Sequence, residues 1–236
     1  MRKLLQSFYL SAVNSDGETG HILALLKSLD LGPDSRVLDV GCGYGRLLAL
    51  MRASGLDATG VEVNAEIVAT NLGKGLPCVT PQQFTSSGGQ YDVIVMAHII
   101  EHFSPADLLP FMDDYLDHLK PGGRLIVATP LMSDYFYDDF DHIKPYQPNG
   151  IVMVFGQHSA QVQYYARNRL VLRDLWFRRS PLRISYSRWR YFRSPWRYSL
   201  FALDFAAVFI FFLSGKLIGK TNGWVGVFEK PGKSDS

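Results

Sequence analysis

One short stretch, residues 37–45 (VLDVGCGYG), restricts the possible folds of this chain more than any other feature. It begins as an apolar run around a single acid, which is typical of a strand buried in a parallel sheet. Three glycines follow at a spacing of two, and they allow the main chain to turn sharply and a ligand to approach it closely. The helix predicted next, over 46–53, would point its positive end at that ligand. The stretch therefore predicts a binding loop for a nucleotide-like molecule.

Apolar runs alternate with amphipathic segments as far as Pro130. The predicted strands are 37–40, 58–63, 76–80, 91–97, 124–129 and, near the end of the chain, 224–229. The predicted helices are 21–29, 46–53, 64–72 and 105–119. This alternation indicates an α/β fold, a Rossmann-like, doubly wound, mostly parallel sheet of about seven strands with helices on both faces. Beyond Pro130 the alternation ends, and 161–166 and 169–177 predict two extended runs joined as a hairpin.

The composition favours a packed domain in a reducing compartment. Of the 236 residues 47% are hydrophobic and 19% charged, which is enough apolar material for a core. Cys42 and Cys78 form neither a disulfide framework nor a metal-ligand pattern. Polar residues interrupt the apolar start of the chain, so we expect no export signal and a cytoplasmic location. We expect a single domain over 1–236, with an N-terminal helix or lid in 1–20, a cofactor-binding core in 30–130 and an insertion in 178–222.

Two ligands compete for the glycine loop. A dinucleotide fingerprint needs a small third residue where the helix packs on the strand, and this chain has Arg46 at that position. Arg46 therefore counts against NAD. S-adenosylmethionine has no pyrophosphate, and its binder needs instead a partner for a charged amino group.

Four motifs in sequence order resemble those of the class I S-adenosylmethionine-dependent methyltransferases, and together they cover about residues 30–130. The first is the glycine loop, and the second is Glu62 at the end of the second strand. The third and fourth are 91–103 (YDVIVMAHIIEHF) and 119–130 (LKPGGRLIVATP). The resemblance implies a methyltransferase that uses S-adenosylmethionine as its methyl donor.

The same resemblance implies a role for individual residues of the cofactor site. Asp39 would lie near the methionine amino group, and Glu62 would accept hydrogen bonds from the ribose hydroxyls. The glycines Gly41, Gly43 and Gly45 would present main chain to the cofactor, and Ala97 would pass beside its methionine end. Relatives often have an acid at the adenine after the third strand, whereas this chain has Gln82 in that region, whose amide would substitute for it.

Candidate catalytic residues follow the fourth and fifth strands, because ligands of open α/β sheets bind beyond the carboxyl ends of strands. A base is needed only where the acceptor loses a proton, as a hydroxyl does. The candidates are His98, Glu101, His102 and His142. Residues 98–102 also spell H-x-x-E-H, a zinc-peptidase pattern, but it begins at the end of a strand rather than on a helix, so we expect no metal site. Structural bracing of the loop is the alternative for Glu101 and His102.

Charge is distributed very unevenly along the chain, and most of the positive charge lies in one segment of the C-terminal half. Residues 167–197 contain ten arginines and one acid, so this segment carries +9 and the rest of the chain −7, for a net charge of +2. Such a segment favours an anionic partner. The apolar run 200–213 follows. It is too short to span a bilayer as a helix, and Asp204 interrupts it. Arginines and aromatic rings beside an apolar helix favour a membrane interface over nucleic acid, and a buried helix or a homodimer contact is the alternative.

These observations predict O-methylation of a small or lipid-linked acceptor, such as a glycan or a quinone-like lipid, by a protein peripheral to the inner membrane face. The alternative from another class is a membrane-attached protein that binds S-adenosylmethionine without transferring its methyl group. An NAD-dependent enzyme is a more distant alternative.

Overall fold

A computed structural model of the chain describes residues 17–87, 89–156, 164–184, 186–192 and 194–232. The strands are β1 (Arg36–Val40), β2 (Asp57–Val61), β3 (Cys78–Val79), β4 (Tyr91–Ala97), β5 (Leu119–Pro130), β6 (Val171–Ser180) and β7 (Lys220–Glu229). The helices are α1 (Glu18–Ser28), α2 (Arg46–Ala53), α3 (Ala65–Gly73), α4 (Pro81–Ser87), α5 (Pro105–Leu116), α6 (Pro148–Gly156), α7 (Arg188–Tyr191) and α8 (Trp196–Leu213). Of the predicted N-terminal helix or lid, residues 1–16 lie outside the described residues.

The seven strands form one sheet in the order β3-β2-β1-β4-β5-β7-β6. The pairs among β1 to β5 are parallel, whereas β7 runs antiparallel to both β5 and β6. The predicted fold class is confirmed: an α/β, mostly parallel sheet with the last strand inserted between the fifth and sixth.

The predicted hairpin between 161–166 and 169–177 is wrong. The second run is most of β6, but its partner is β7, and Leu175 is aligned with Gly226 across that pair. Residues 164–166 have no strand conformation, and 161–163 lie outside the described residues. A local pattern identifies an extended run without identifying its partner, which here comes more than forty residues later in the chain.

Alternation within the strands produces two cores, one on each face of the sheet. Leu38 and Ile94 point to one face, where they pack with residues of α4, α5 and α6. Val37 and Val95 point to the other face, where they pack with residues of α1 and α2. Because successive strand residues face opposite sides, strands that are apolar throughout require helices on both.

The segment between β6 and β7 contains α7 and α8. Helix α8 has 18 residues and begins four residues before the apolar run that predicted it, directly after Pro195. By length and composition it is the one helix among the described residues that could cross a membrane, and only 17% of it is buried. The alternative of a buried helix is therefore wrong, because one narrow face alone packs on the protein.

Candidate active site

The carboxyl ends of four parallel strands meet at one edge of the sheet. Val40 of β1 is aligned with Val61 of β2 and with Met96 of β4, and Ala97 of β4 is aligned with Ala128 of β5. The residues that follow these positions therefore lie side by side. This is the edge at which open α/β sheets bind ligands, and it collects the ends of all four predicted motifs.

The glycine loop is fixed by contacts with α3. Gly45, immediately before α2, has a left-handed φ of +76°, and a Cβ there would lie 2.7 Å from Leu76 Cδ1 and 2.9 Å from Asn71 Oδ1. The Asn71 side chain, fully buried, donates a hydrogen bond from Nδ2 to the Gly43 carbonyl at 2.7 Å. The loop is thus held in one shape, with its main chain available to a ligand.

Glu62, directly after β2, also holds the glycine loop in place. Its Oε2 accepts a hydrogen bond from the Gly43 amide at 3.0 Å, and its Oε1 accepts one from the Asn64 amide at 2.9 Å. A carboxylate has about four acceptor sites, so two hydroxyl groups could still donate to it. The ribose contact stays a prediction, and the geometry fits it.

Asp39 lines a cavity of about 180 Å³ together with Gly41 and Ala97. The side chain is almost fully buried, and Oδ2 has no hydrogen-bond partner among the described residues. Burial raises the pKa of the Asp39 carboxyl to about 7. A buried carboxylate without a partner is strongly disfavoured unless a cation meets it, so this position fits the ammonium group of S-adenosylmethionine.

Gln82 has the weakest structural support of the predicted cofactor residues. It lies on α4 with an exposed side chain, and it is not among the residues that line the cavity. Its neighbour Gln83 caps the helix instead, with Oε1 accepting from the Thr80 amide at 2.9 Å. The adenine contact stays a prediction.

His98 lies at the cavity in a left-handed conformation with φ of 57°. Its Nε2 is 2.6 Å from Glu18 Oε1, and its Nδ1 forms an ion pair at 3.2 Å with Glu101 Oε1. Burial by itself lowers the pKa of His98, but the contacts with Glu101 and Glu18 outweigh burial and raise this pKa to about 10. The ring is therefore an imidazolium at neutral pH with both nitrogens engaged. That state has no proton-accepting nitrogen, so it argues against His98 as a general base.

We expect the His98 ring to remain protonated from pH 5 to pH 9. Its side-chain NMR signals should then show no titration in this range, and Glu18→Gln should lower the pKa and bring titration into view. Because the folded-state pKa lies above the ordinary value of 6.5, the stabilisation is present below pH 6.5 and is lost as the pH rises towards 10. A wild-type ring that titrates between pH 6 and pH 8 would contradict the bridged arrangement.

Glu101, His102 and His142 form a second group whose ligand-type atoms lie within 4.8 Å of one another. Glu101 is fully buried and accepts a hydrogen bond from Thr129 Oγ1 at 2.9 Å. Each histidine has its Nδ1 against a main-chain carbonyl, which for His142 is Phe136 O at 2.7 Å. Such a group could hold a metal ion, but Glu101 already shares its oxygens with Thr129 and His98, so a cation would compete with the imidazolium. His98 is not part of the group, and H-x-x-E-H does not lie on one helical face as a zinc peptidase needs.

Two residues of the site were not predicted from sequence. Glu18, at the start of α1, contacts His98 and also accepts a hydrogen bond from Arg178 Nη1 of β6 at 3.0 Å. Burial tends to raise the pKa of Glu18, but His98 and Arg178 outweigh burial and lower it, so the carboxylate is ionised. A lone acid before an amphipathic helix resembles an ordinary helix-start residue, so no local signal distinguishes it.

Comparisons with known proteins agree with this geometry. The protein family described as "Methyltransferase domain" matches residues 17–202. A ubiquinone biosynthesis O-methyltransferase of Parvibaculum lavamentivorans is 36% identical over 104 residues, which cover 41% of this chain and 40% of that protein. This chain thus matches about two fifths of the length of such curated relatives.

Solved structures share the fold over nearly the whole chain. A SAM-dependent methyltransferase from Archaeoglobus fulgidus superposes with a TM-score of 0.59 at 16% identity, covering 95% of this chain and 99% of that one. Magnesium protoporphyrin IX methyltransferase from Synechocystis, solved with bound SAM, gives 0.54 at 12% identity, covering 92% and 81%.

Proposed function

We propose that this chain, which belongs to the family of methyltransferase domains, methylates a hydroxyl group of a small or lipid-linked acceptor, such as a quinone-like lipid or a glycan, at a membrane surface. Its methyl donor is S-adenosylmethionine. The relatives named ubiquinone biosynthesis O-methyltransferase support an oxygen acceptor of quinone type. The observation that carries the membrane part is the exposed apolar face of α8.

Methyl transfer to a hydroxyl has two requirements that the protein must meet. S-adenosylmethionine supplies an electrophilic methyl group when bound, so the protein must hold the acceptor in line with it. The hydroxyl must also lose a proton to a base. His98 is an imidazolium here, and from the remaining candidates Glu101, His102 and His142 we propose His142 as the base. A carbonyl only accepts hydrogen bonds, so the proton of neutral His142 is on Nδ1, facing Phe136 O, and Nε2 can accept. Asp139 Oδ2, 3.6 Å from Nε2, would stabilise the resulting imidazolium.

Helix α8 divides into an inner and an outer face. Asp204, Val208 and Phe211, spaced as one helical stripe, are buried against the protein. On the other side Phe209 is 63% and Leu213 76% exposed. An apolar face of this kind on a free monomer marks a surface that meets lipid or protein.

A buried ion pair argues that α8 lies along the protein rather than crossing a bilayer. Asp204, in the middle of the helix, accepts two hydrogen bonds from Arg190 Nη2 at 2.8 and 2.7 Å, and Arg183 Nε lies 3.8 Å from it. A spanning helix would have to separate this pair or carry it into the hydrocarbon, and either is costly. An interfacial helix keeps the pair and buries its outer face among lipid headgroups.

The residues around α8 suit an anionic surface. Arg188 lies over the rings of Trp189 and Phe192, 5.1 and 5.8 Å from their centroids. Trp196 and Tyr198 at the start of α8 are exposed. Amphipathic rings and guanidinium groups are favoured at headgroup level, where each basic residue contributes about 1 kcal/mol with anionic lipid. We propose that the protein is peripheral at the cytoplasmic face of the membrane.

The insertion also contacts the loop that carries His142. The Tyr186 hydroxyl donates to Asp134 O at 3.0 Å, and Lys220 Nζ pairs with the Asp134 carboxylate at 3.0 Å. Arg183 lies over the Tyr135 ring, 5.1 Å from its centroid. We propose that an acceptor held by the insertion reaches the site along the side of this loop that contains Asp134 and Tyr135.

We expect the protein to float with vesicles that contain phosphatidylglycerol and much less with pure phosphatidylcholine vesicles. The double variant Phe209→Ser, Leu213→Ser should lose flotation because it removes the outer apolar face without touching Asp204. Val63→Ser with Leu72→Ser is a matched control, since both residues are exposed on the cofactor half of the chain. If the wild type never floats, α8 is a protein contact and the membrane part is wrong.

Transfer itself is tested with methyl-labelled S-adenosylmethionine and a bacterial lipid extract. Label in an alkali-stable methyl ether supports O-methylation, whereas label in an amine or a thioether contradicts it. In the same assay His142→Gln should slow transfer but leave the affinity for S-adenosylhomocysteine unchanged.

A further inference from the structure

The two cysteines of the chain lie against each other beside the cofactor cavity. Cys42 Sγ and Cys78 Sγ are 3.5 Å apart, although 36 positions separate the residues along the chain. Both are free thiols, with Cys78 buried and Cys42 half-buried at the cavity wall. The sulfurs of a disulfide are about 2.0 Å apart, so a closing movement of roughly 1.5 Å would join the two. The fold therefore brings together an oxidisable pair, although the spacing of the cysteines in the sequence indicated no disulfide.

Gly60 of β2 makes the contact between the two sulfurs possible. It is aligned with Cys78 of β3 in the sheet, and a Cβ built on it would lie 2.5 Å from Cys42 Sγ. A side chain at this position would therefore displace the Cys42 sulfur. Glycine inside a strand costs stability and often marks a place where another group approaches the strand closely. Here the approaching group is the Cys42 side chain.

The two sulfurs are also coupled to the main chain of the glycine loop. Cys42 is the residue between the first two glycines of the loop, and its thiol donates to the Gly43 carbonyl at 3.7 Å. Asn71 Nδ2, which donates to the same carbonyl, lies 3.8 Å from Cys42 Sγ and 3.7 Å from Cys78 Sγ. A bond between the sulfurs would remove the thiol proton and draw Cys42 towards β3. The main chain of Gly43, whose amide donates to Glu62, would move with it.

We propose that Cys42 and Cys78 form a reversible disulfide in the presence of a peroxide, and that this disulfide weakens the binding of S-adenosylmethionine. The Cys42 sulfur, once deprotonated, attacks one oxygen of hydrogen peroxide and becomes a sulfenic acid, while the hydroxide that leaves takes up the thiol proton as water. The Cys78 sulfur then displaces the sulfenic hydroxyl, which leaves with the Cys78 proton as a second water. Two thiols are oxidised to one disulfide, and one peroxide is reduced to two waters.

Cys42 is the residue that meets the oxidant, because Cys78 is only 2% exposed. Burial, the neighbouring Cys78 and the carboxylates of Asp39 and Glu62 raise the pKa of the Cys42 thiol. Since the thiolate is the reactive form, the pair stays reduced under ordinary conditions and reacts slowly with peroxide. This behaviour suits a reducing compartment, where disulfides are usually transient and serve regulation.

Oxidation and cofactor binding should oppose each other. If the disulfide weakens the cofactor by some factor, the bound cofactor disfavours the disulfide by the same factor. A bound cofactor would also restrict the access of peroxide to Cys42, which lines the cavity. The cofactor is therefore expected to protect the thiols, which gives the proposal a second readout.

The test treats the reduced protein with hydrogen peroxide and follows its intact mass and its free thiols. The wild type should lose two hydrogens and both thiols without gaining oxygen, and one linked pair of peptides should contain Cys42 and Cys78. Isothermal titration should then show S-adenosylhomocysteine bound about tenfold more weakly, with the affinity restored by dithiothreitol. S-adenosylhomocysteine added before the peroxide should slow the loss of thiols.

Cys78→Ser is the matched control, because it keeps a small polar side chain near Asn71 and leaves the glycine loop unchanged. It should bind S-adenosylhomocysteine like the reduced wild type and keep that affinity after the peroxide treatment that closes the wild-type disulfide. If the variant loses affinity as far as the wild type does, oxidation of Cys42 alone is responsible and the disulfide is overturned. A wild type whose thiols persist or gain oxygen instead of pairing would overturn it too, as would a disulfide that leaves the affinity unchanged. None of these outcomes depends on the acceptor, so they are distinct from a failure of the proposed O-methylation.

Discussion

Asp39→Asn should stabilise the cofactor-free protein at pH 8 and weaken its binding of S-adenosylhomocysteine by a hundredfold or more. In the wild type the pKa of this buried carboxyl is raised from 3.8 to about 7, so at pH 8 the protein holds a charge that burial disfavours. Each pKa unit corresponds to about 1.4 kcal/mol, and the new amide offsets part of the gain by leaving its own donors unpaired. We expect a net stabilisation on the order of 2 kcal/mol.

The stability of the wild type and its affinity for the cofactor should change with pH in opposite, defined directions. Between pH 3.8 and 7 the folded protein keeps a proton on Asp39 that the unfolded chain has lost, so wild-type stability falls as the pH rises through this range. Below pH 3.8 the buried Asp39 side chain does not destabilise the fold, and above pH 7 its destabilising effect is complete. Affinity changes in the opposite sense, because only the carboxylate attracts an ammonium group, and it should rise as the pH increases through 7. Asp39→Asn should remove both trends.

Thermal unfolding at pH 5 and pH 8, with titration of S-adenosylhomocysteine at pH 6, 7 and 8, measures both effects. Asp57→Asn is the control, since that acid lies in an exposed ion pair at the start of β2. A variant less stable than the wild type at pH 8 that still binds the cofactor would contradict the role given to Asp39. Because the same substitution is expected to improve stability and to weaken cofactor binding, the position is explained by function rather than by folding.

The sequence predicted the part of the site that depends on neighbours along the chain. Strand β1, the turn at Gly45 and the acid at the end of β2 are local patterns, in which apolar alternation and glycine spacing determine the conformation. The sheet then brings the ends of these strands together, because parallel strands that follow one another through right-handed crossovers place their carboxyl ends at one edge.

The network around His98 could not be predicted in this way. Its partner Glu18 lies 80 positions earlier, and Arg178 lies 160 positions from Glu18. These contacts depend on where α1 packs on the sheet and on the insertion of β7 beside β6. His98 was therefore predicted as a free base, whereas its two carboxylate contacts give it the charge of an imidazolium.

Two differences between the predicted and observed helices have a related cause. Helix α4 has seven residues, of which only Phe84 is buried, so it has almost no apolar stripe to recognise. Helix α8 was predicted too short because its first turn is aromatic and basic, and hydropathy alone excludes such residues although they suit a helix at an interface.

Gly41→Ala is expected to destabilise the protein by about 2–4 kcal/mol and to weaken S-adenosylhomocysteine more than tenfold. Gly41 has a φ of +69°, and left-handed backbone costs a residue with a Cβ about 1–2 kcal/mol. A Cβ there would lie only 1.9 Å from Ile99 Cδ1 and 2.5 Å from its Cγ1, so the isoleucine would have to move. Ile99 follows His98 directly, and His98 lines the cavity, so a displaced Ile99 would disturb its wall.

Two comparisons separate strain from the steric contact. Gly43 has a φ of +51° and nothing lies within 4 Å of a Cβ built there, so Gly43→Ala should lose only the backbone strain of about 1–2 kcal/mol. Ile99→Ala combined with Gly41→Ala should recover part of the stability and of the cofactor affinity, because it removes the atoms that the new Cβ meets. Urea unfolding and calorimetry on the wild type, Gly41→Ala, Ile99→Ala and the double variant measure this coupling, and Gly43→Ala is measured beside them. If Gly41→Ala and Gly43→Ala behave alike, Ile99 does not press on the glycine loop, and the turn at His98 is set by its carboxylate partners alone.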